Sequence, residues 1–456
     1  MATSSAPADP GTPLSARFSP REMRRAVASF SAWDGGMSAF SSVILTFVFA
    51  TYVASGVAAE GVVGDAARKA AQDHGSQVLT TWQSIGAIAI ALLAPLLGNL
   101  ADRGGARNAL LRITTLGTVA VVALMPLVAL DRDFLVLGAV LIALAVVFSE
   151  LAGVFVNSVL PEISTPENRG RVSGTAWAVG YWGSIVCLAL VLVLFVMPGT
   201  GVLGLPAEDG WNLRAIPLFV AAWILIGTLP LMIWAPRHPA TAPEQRWTPW
   251  QGYASIIRRV IRAVKEEPVM LQYLVASAIY RDGLGAVFSI AGVLAANAYG
   301  FSTTEVIIFG IAANLVAGVG VFLGGRLDDR VGPRPVIIAG CLGIIVLGLV
   351  VLAFSATVVF WAAGLAICLF VGPVQSASRN LLTRLSLPGR ETENFGLYAT
   401  TGRALGFLGT AAFAITVAVF QDTRTGILGI VLVMAIGLVA FLPIRLGAAG
   451  RPAAGA

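Results

Sequence analysis

The sequence predicts an all-α membrane protein of twelve transmembrane helices in two pseudo-symmetric six-helix bundles. Three observations predict it: an apolar composition, twelve long uninterrupted apolar runs, and a motif duplicated between the two halves. The 456 residues are 57% hydrophobic and 12% charged, with a mean hydropathy of +0.83. An ordinary soluble domain is about 45–50% apolar and about 25% charged. This composition excludes a soluble enzyme, a disordered chain and a nucleic-acid binder, and makes membrane lipid the chain's main surroundings. The runs are continuous rather than alternating, so the spans are helices and not barrel strands.

The runs cover residues 27–55, 78–101, 109–130, 135–158, 172–197 and 214–235, then 268–298, 304–326, 335–354, 357–381, 395–420 and 425–444. The longest polar interruption between them is 236–267. The organisation is therefore a tail (1–26), a six-helix bundle (27–235), a linker (236–267), a second bundle (268–445) and a second tail (446–456). With both termini in the cytoplasm, 23 of the 30 basic residues fall on the cytoplasmic side, Arg379 among them, and five on the other. That satisfies the positive-inside rule. The net charge of +6 is then loop charge facing anionic headgroups.

The linker holds an amphipathic stretch, with Ile257, Val260, Ile261 and Val264 on one face and Arg258, Arg262 and Lys265 on another, preceded by Trp247 and Trp250. It reads as a helix on the membrane surface or as a plain solvated tether. The first 20 residues lack an apolar core, so no cleavable signal is expected and the first helix targets the chain. Cys187, Cys341 and Cys368 lie singly inside apolar runs and are expected as reduced thiols.

The second run ends in Gly98-x-Leu100-x-Asp102-Arg103-x-Gly105-x-Arg107, and the eighth in Gly325-x-Leu327-x-Asp329-Arg330-x-Gly332-x-Arg334, offset by 227 positions. Asp34-Gly35 is echoed by Asp282-Gly283, and Gly174 and Gly180 by Gly396 and Gly402. Parallel six-helix repeats are an alternating-access layout. A carboxylate at such a helix end can face another helix's positive N-terminus, as a movable latch or as a fixed cap.

These duplicated loops resemble the signature of the major facilitator superfamily. Narrower stretches are similar to the vacuole effluxer family of fungal vacuolar amino-acid effluxers and their bacterial relatives. They are Ala32-Trp-Asp34-Gly-Gly-Met-Ser38-Ala-Phe40, Asn157-Ser-Val-Leu-Pro161-Glu with Arg169-Gly-Arg171, Tyr280-Arg-Asp282-Gly283, and Gln375-Ser-Ala-Ser378-Arg379 through Tyr398. The resemblance implies export of small amphiphilic solutes, amino acids first, with the loop residues Gly98, Asp102, Arg103, Gly105, Arg107, Gly325, Asp329, Arg330, Gly332 and Arg334 as a cytoplasmic gate that holds an outward-open state.

Charges inside the spans are costly, about 2.5–3.5 kcal/mol each on insertion scales, and mark the candidate site. Asp34, Glu150 and Asp282 are the proton-coupling candidates. Asp34 and Glu150 each have a structural alternative, a carboxylate paired to an arginine, and Asp282 needs an external partner, either protein or substrate. Asn157, Trp177, Tyr181, Arg281, Gln375 and Arg403 are the candidates for binding substrate. Arg403 reads equally as a salt bridge within the second bundle. Glu305 stands near the start of the eighth span. Asp34, Ser38, Ser41, Ser42 and Thr46 read as one polar stripe at helical spacing. Ser164-Thr-Pro166-Glu167 reads as an N-cap with proline at the first helical position.

No phosphate-binding loop, metalloprotease helix or nucleophile elbow occurs, so no enzymatic activity, cofactor or metal is expected. The reading is a monomeric secondary transporter of a bacterial plasma membrane. It takes a small-molecule substrate, with protons as coupling ion. A multidrug or metabolite exporter of the same fold is the first rival, although the fifth run has no proline before Pro198. A non-transporting membrane sensor or assembly partner is the second.

Overall fold

The computed structural model describes residues 19–197, 201–206, 208–236 and 267–444. The amphipathic linker stretch and its two tryptophans lie outside the described residues. Among the described residues twelve helices are long and apolar enough to span a membrane, as the apolar runs predict. They are α1 (Pro20–Val57), α2 (Asp65–Gly104), α3 (Arg107–Leu124), α4 (Leu135–Asn157), α5 (Arg169–Val196) and α6 (Ile216–Trp234). The second set is α7 (Pro268–Tyr299), α8 (Thr303–Val331), α9 (Pro333–Ala353), α10 (Thr357–Leu385), α11 (Glu391–Phe420) and α12 (Gly426–Phe441).

Local chemistry sets the helix ends. Ser19 and Glu22 form a reciprocal capping box with Pro20 at the first position of α1. Ser302 and Glu305 do the same for α8, so Glu305 is a cap at an exposed helix start. The Ser302 amide and hydroxyl donate to its carboxylate and hold its pKa below the usual value. Gly105 and Gly332 end α2 and α8 at φ +64° and +85°, a region that residues with a Cβ rarely adopt. That explains the second glycine of each repeated loop.

Three helices depart from regular α geometry: α1, α5, whose last residues Leu192–Val196 are π-helical, and α11. Within α1, residues Phe40–Phe47 form a π-helix, with the Val48 amide donating to the Val43 carbonyl at 3.0 Å. The wider turn rephases the expected polar stripe beyond Ala39. Ser38 packs against Gly180, whereas the Thr46 hydroxyl turns back to the Ser41 carbonyl at 2.9 Å. Helix α11 breaks at Gly406–Phe407, between Glu391–Leu405 and Leu408–Phe420.

The Ser164–Glu167 expectation is corrected. Helix α5 begins at Arg169, and Thr165–Asn168 is a turn in which the Thr165 amide donates to Asn168 Oδ1 at 2.8 Å. The first amides of α5 need no local cap because an aspartate of the other bundle takes that place.

The loops joining α2 to α3 and α8 to α9 lie at one end of the molecule, termed here the loop face. Toward it the bundles pack closely. A Cβ on Gly98 would lie 2.6 Å from the Thr392 carbonyl oxygen, and one on Gly325 would lie 2.5 Å from that of Gly170. The four pack as α2 on α11 and α5 on α8, which explains the first glycine of each loop. Among the described residues, no hydrogen bond or ion pair joins the bundles on the far side of the Glu150–Arg403 pair. The polar closure lies on the loop-face side.

Candidate functional site

Each repeated loop divides its work in two. Its aspartate reaches across to the other bundle. Asp102 accepts from the Thr392 and Glu393 amides at 3.2 and 2.8 Å, at the start of α11. Asp329 accepts from the Arg171 amide at 3.1 Å, at the start of α5. Both carboxylates satisfy the unpaired amides and positive pole of a helix N-terminus.

The final arginine of each loop stays in its own bundle. Arg107, fully buried, donates to both Glu162 oxygens at 2.6 and 2.8 Å and to the Pro236 carbonyl at 2.8 Å, past the end of α6. Arg334 donates to the Ile444 and Leu442 carbonyls at 2.6 and 2.8 Å, past the end of α12. Arg103 follows Asp102 in the last turn of α2, and Arg330 is exposed at the end of α8.

Above this layer the bundles meet at Arg379, near the end of α10. Its Nη1 donates to Asn157 Oδ1 at 2.9 Å and to Asp34 Oδ2 at 3.3 Å. Its Nε donates to Ser173 Oγ at 3.0 Å and its Nη2 to the Ser173 carbonyl at 2.8 Å. One guanidinium thus ties α10 to α1, α4 and α5. The assignment of Arg379 to a cytoplasmic loop is corrected: it is buried, and α10 continues to Leu385. The polar residues after position 378 stay helical because protein groups, rather than water, satisfy them. Asn380 donates to both Asp328 oxygens at 3.0 and 2.9 Å, and both residues are buried. Arg379, Ser173, Asp328 and Asn380 are absent from the sequence-derived site. The one available signal was a run of five polar residues, Gln375-Ser-Ala-Ser378-Arg379-Asn380 without its alanine, at a span end.

Glu150 of α4 accepts from Arg403 Nη2 of α11. The partner of Arg403 is therefore in the opposite bundle, not its own. Both side chains are partly open, 41% and 35% exposed. Asp282 sits at the break in α11, where its Oδ2 accepts from the Gly409 amide at 2.6 Å. It caps the far half of a discontinuous helix within its own bundle.

Arg281 points elsewhere than its neighbour Asp282, as the roughly 100° step between adjacent helical residues requires. Its guanidinium lies 3.7 Å over the Tyr398 ring, and its Nη1 is buried with no hydrogen-bond partner. Trp177 and Tyr181 are neighbours, with ring centroids 6.1 Å apart. The Trp177 Nε1 is also buried and unpartnered. Gln375 is half-buried.

The arrangement brings Asp34, Asn157, Trp177 and Arg379 together, places Glu150 with Arg403, and leaves Asp282 and Arg281 facing different groups. On the far side a cavity of about 590 Å³ is lined by α1 residues Ser42, Leu45 and Thr46 and by α7–α10 and α12. A space walled by both bundles changes when the bundles move relative to each other.

Two six-helix repeats around such a plane define a membrane transporter of the major facilitator fold. The solved proton:xylose symporter XylE matches this fold with a TM-score of 0.71 at 10% identity, over 95% of this chain and 98% of that one. The chain belongs to the family described as "Vacuole effluxer Atg22 like", which it matches over residues 67–453. Among its relatives, the uncharacterized MFS-type transporter YxiO of Bacillus subtilis is 22% identical over 92% of this chain and 96% of its own length. The multidrug resistance protein MdtG of Yersinia enterocolitica is 28% identical over 62% of this chain and 64% of its own.

Proposed function

We propose that this multi-pass membrane protein is a secondary transporter that exports a small amphiphilic solute by alternating access, coupled to protons. The observation that carries the reading is the pair of intramembrane ion pairs, Asp34–Arg379 and Glu150–Arg403, that each join the two bundles. Such pairs persist only while the bundles keep their present relation. Protonating either carboxylate removes the charge that holds its arginine and frees the bundles to rock. Asp282 ranks below them as a proton carrier, because its bond lies within one bundle.

With the loop face in the cytoplasm, as the basic residues predict, the present conformation is outward-facing. The gate is then the set of loop contacts around Asp102 and Asp329. A bacterial plasma membrane, cytoplasmic termini and a monomeric unit complete the reading. The family resemblance makes amino acids the first panel of substrates. A drug exporter is the second reading, supported by the likeness to MdtG and by the apolar cavity.

The test is uptake in proteoliposomes under an imposed pH gradient, with radiolabelled amino acids, comparing the wild type with Glu150→Gln. Gradient-driven uptake that the variant loses is the expected result. Uptake indifferent to both the gradient and the substitution would mean uncoupled transport and overturn the coupling assignment. Absence of uptake for every amino acid turns the panel to drugs and lipophilic ions.

A further inference from the structure

We infer that Arg281 is the anchor for an acidic headgroup, and that the solute is an amphiphilic anion whose apolar body lies in the cavity beyond it. The inference rests on the transport reading above and narrows its substrate class.

Three arginines lie inside the spans at the bundle plane, and their pairing is uneven. Arg379 has Asp34 and Arg403 has Glu150. Among the described residues Arg281 has no carboxylate partner and lies against an aromatic face, that of Tyr398 at 3.7 Å. The third carboxylate, Asp282, is turned to the Gly409 amide at 2.6 Å. A buried guanidinium N–H without an acceptor is costly, and a ligand carboxylate matches its planar fork. The Tyr398 ring holds the guanidinium from one side, and Nη1 keeps its hydrogen-bonding capacity unused.

The position of the apolar body follows from helix geometry. Phe288 is seven residues beyond Arg281, on the same face of α7 and about 10 Å further along. Phe288 lines the cavity of about 590 Å³, together with Leu45, Phe309, Ile344 and Met434. A solute with an acidic head on Arg281 and a body of that length reaches into it. A zwitterion fits less well. Its ammonium needs a carboxylate, and Asp34, Glu150 and Asp282 are each already engaged.

The test uses the full chain purified in lipid nanodiscs and the thermal shift caused by four probes that share a phenylalkyl body. Phenylbutyrate, phenylbutanol and phenylbutylamine differ only in the head; phenylalanine supplies the zwitterion. Phenylbutyrate is expected to raise the unfolding temperature most. Arg281→Gln should weaken its apparent affinity about tenfold or more, and Arg281→Lys should restore part of it. Ser42→Phe, which fills the cavity from α1, should also weaken it while leaving Arg281 in place.

An equal shift from the alcohol or the amine overturns the inference. So does a larger shift from phenylalanine, an undiminished shift in Arg281→Gln, or no shift from any probe. Amino-acid flux without a phenylbutyrate shift leaves transport standing and removes this site. A phenylbutyrate shift that needs Arg281, in a protein that moves no solute, keeps the site and removes transport.

Discussion

The first helix of each bundle carries Asp-Gly at a matched position, and the two aspartates are used differently. Asp34 binds Arg379 of the opposite bundle, whereas Asp282 binds the Gly409 amide of its own. The same division runs through each repeated loop. Asp102 and Asp329 reach across, while Arg107 and Arg334 hold the end of the sixth helix on their own side. A charge satisfied within a bundle travels with it when the bundles rock. One satisfied across the plane must be released. The comparison therefore separates residues that hold the fold from residues that hold a conformation.

The largest expected effect lies on the fold side. Arg107→Ala leaves Glu162 without its guanidinium, and removing one partner of a buried pair costs about 3–5 kcal/mol. Thermal unfolding in detergent should show the deepest fall of any variant named here. An unchanged Tm would remove Arg107 from the fold-holding class. Asp282→Ala should come next, at about 1–2 kcal/mol for a lost helix cap. Its Tm should fall while distances between the bundles stay as they are.

A loop-face substitution should act on conformation instead. Gly98→Leu forces a side chain against the Thr392 carbonyl, where even a Cβ would lie at 2.6 Å. Overpacking of this kind costs about 1–3 kcal/mol. It should be relieved by parting the bundles, read as a longer distance between spin labels at positions 167 and 387. Labels that stay close, with a lowered Tm, would make this contact part of the fold. The smallest effect is expected for Glu150→Gln. Its pair with Arg403 is open to solvent, so about 0–1 kcal/mol of stability is at stake. A large fall in Tm would move Glu150 to the fold-holding side; a small one makes any transport loss a functional effect.

The fold was legible because lipid demands long apolar runs, and because a duplication leaves the same loop at two places. The loop's glycines, aspartates and arginines could be marked from their repetition alone, but their division of labour could not. It depends on which bundle supplies the partner. Arg379 was hidden by a different rule. A polar stretch at the end of an apolar run looks like a loop in water, yet here Ser173, Asp34 and Asp328 satisfy it inside the protein. The break in α11 falls at Gly406–Phe407, and Gly406 is one glycine among 50. The π-helical turn of α1 has no composition of its own and rephases a stripe drawn at regular spacing.

The most direct test of the division is the Asp34→Asn variant, which imitates a protonated carboxylate. Spin labels at the exposed Glu167 and Leu387 report on loops that touch through the Arg384 Nη2 to Pro166 carbonyl bond at 2.8 Å. Loss of one charge-assisted bond shifts a two-state balance by about tenfold or more. A grown long-distance population with Tm nearly unchanged is expected. An unchanged distance distribution, with Tm lowered as in Asp282→Ala, would contradict it.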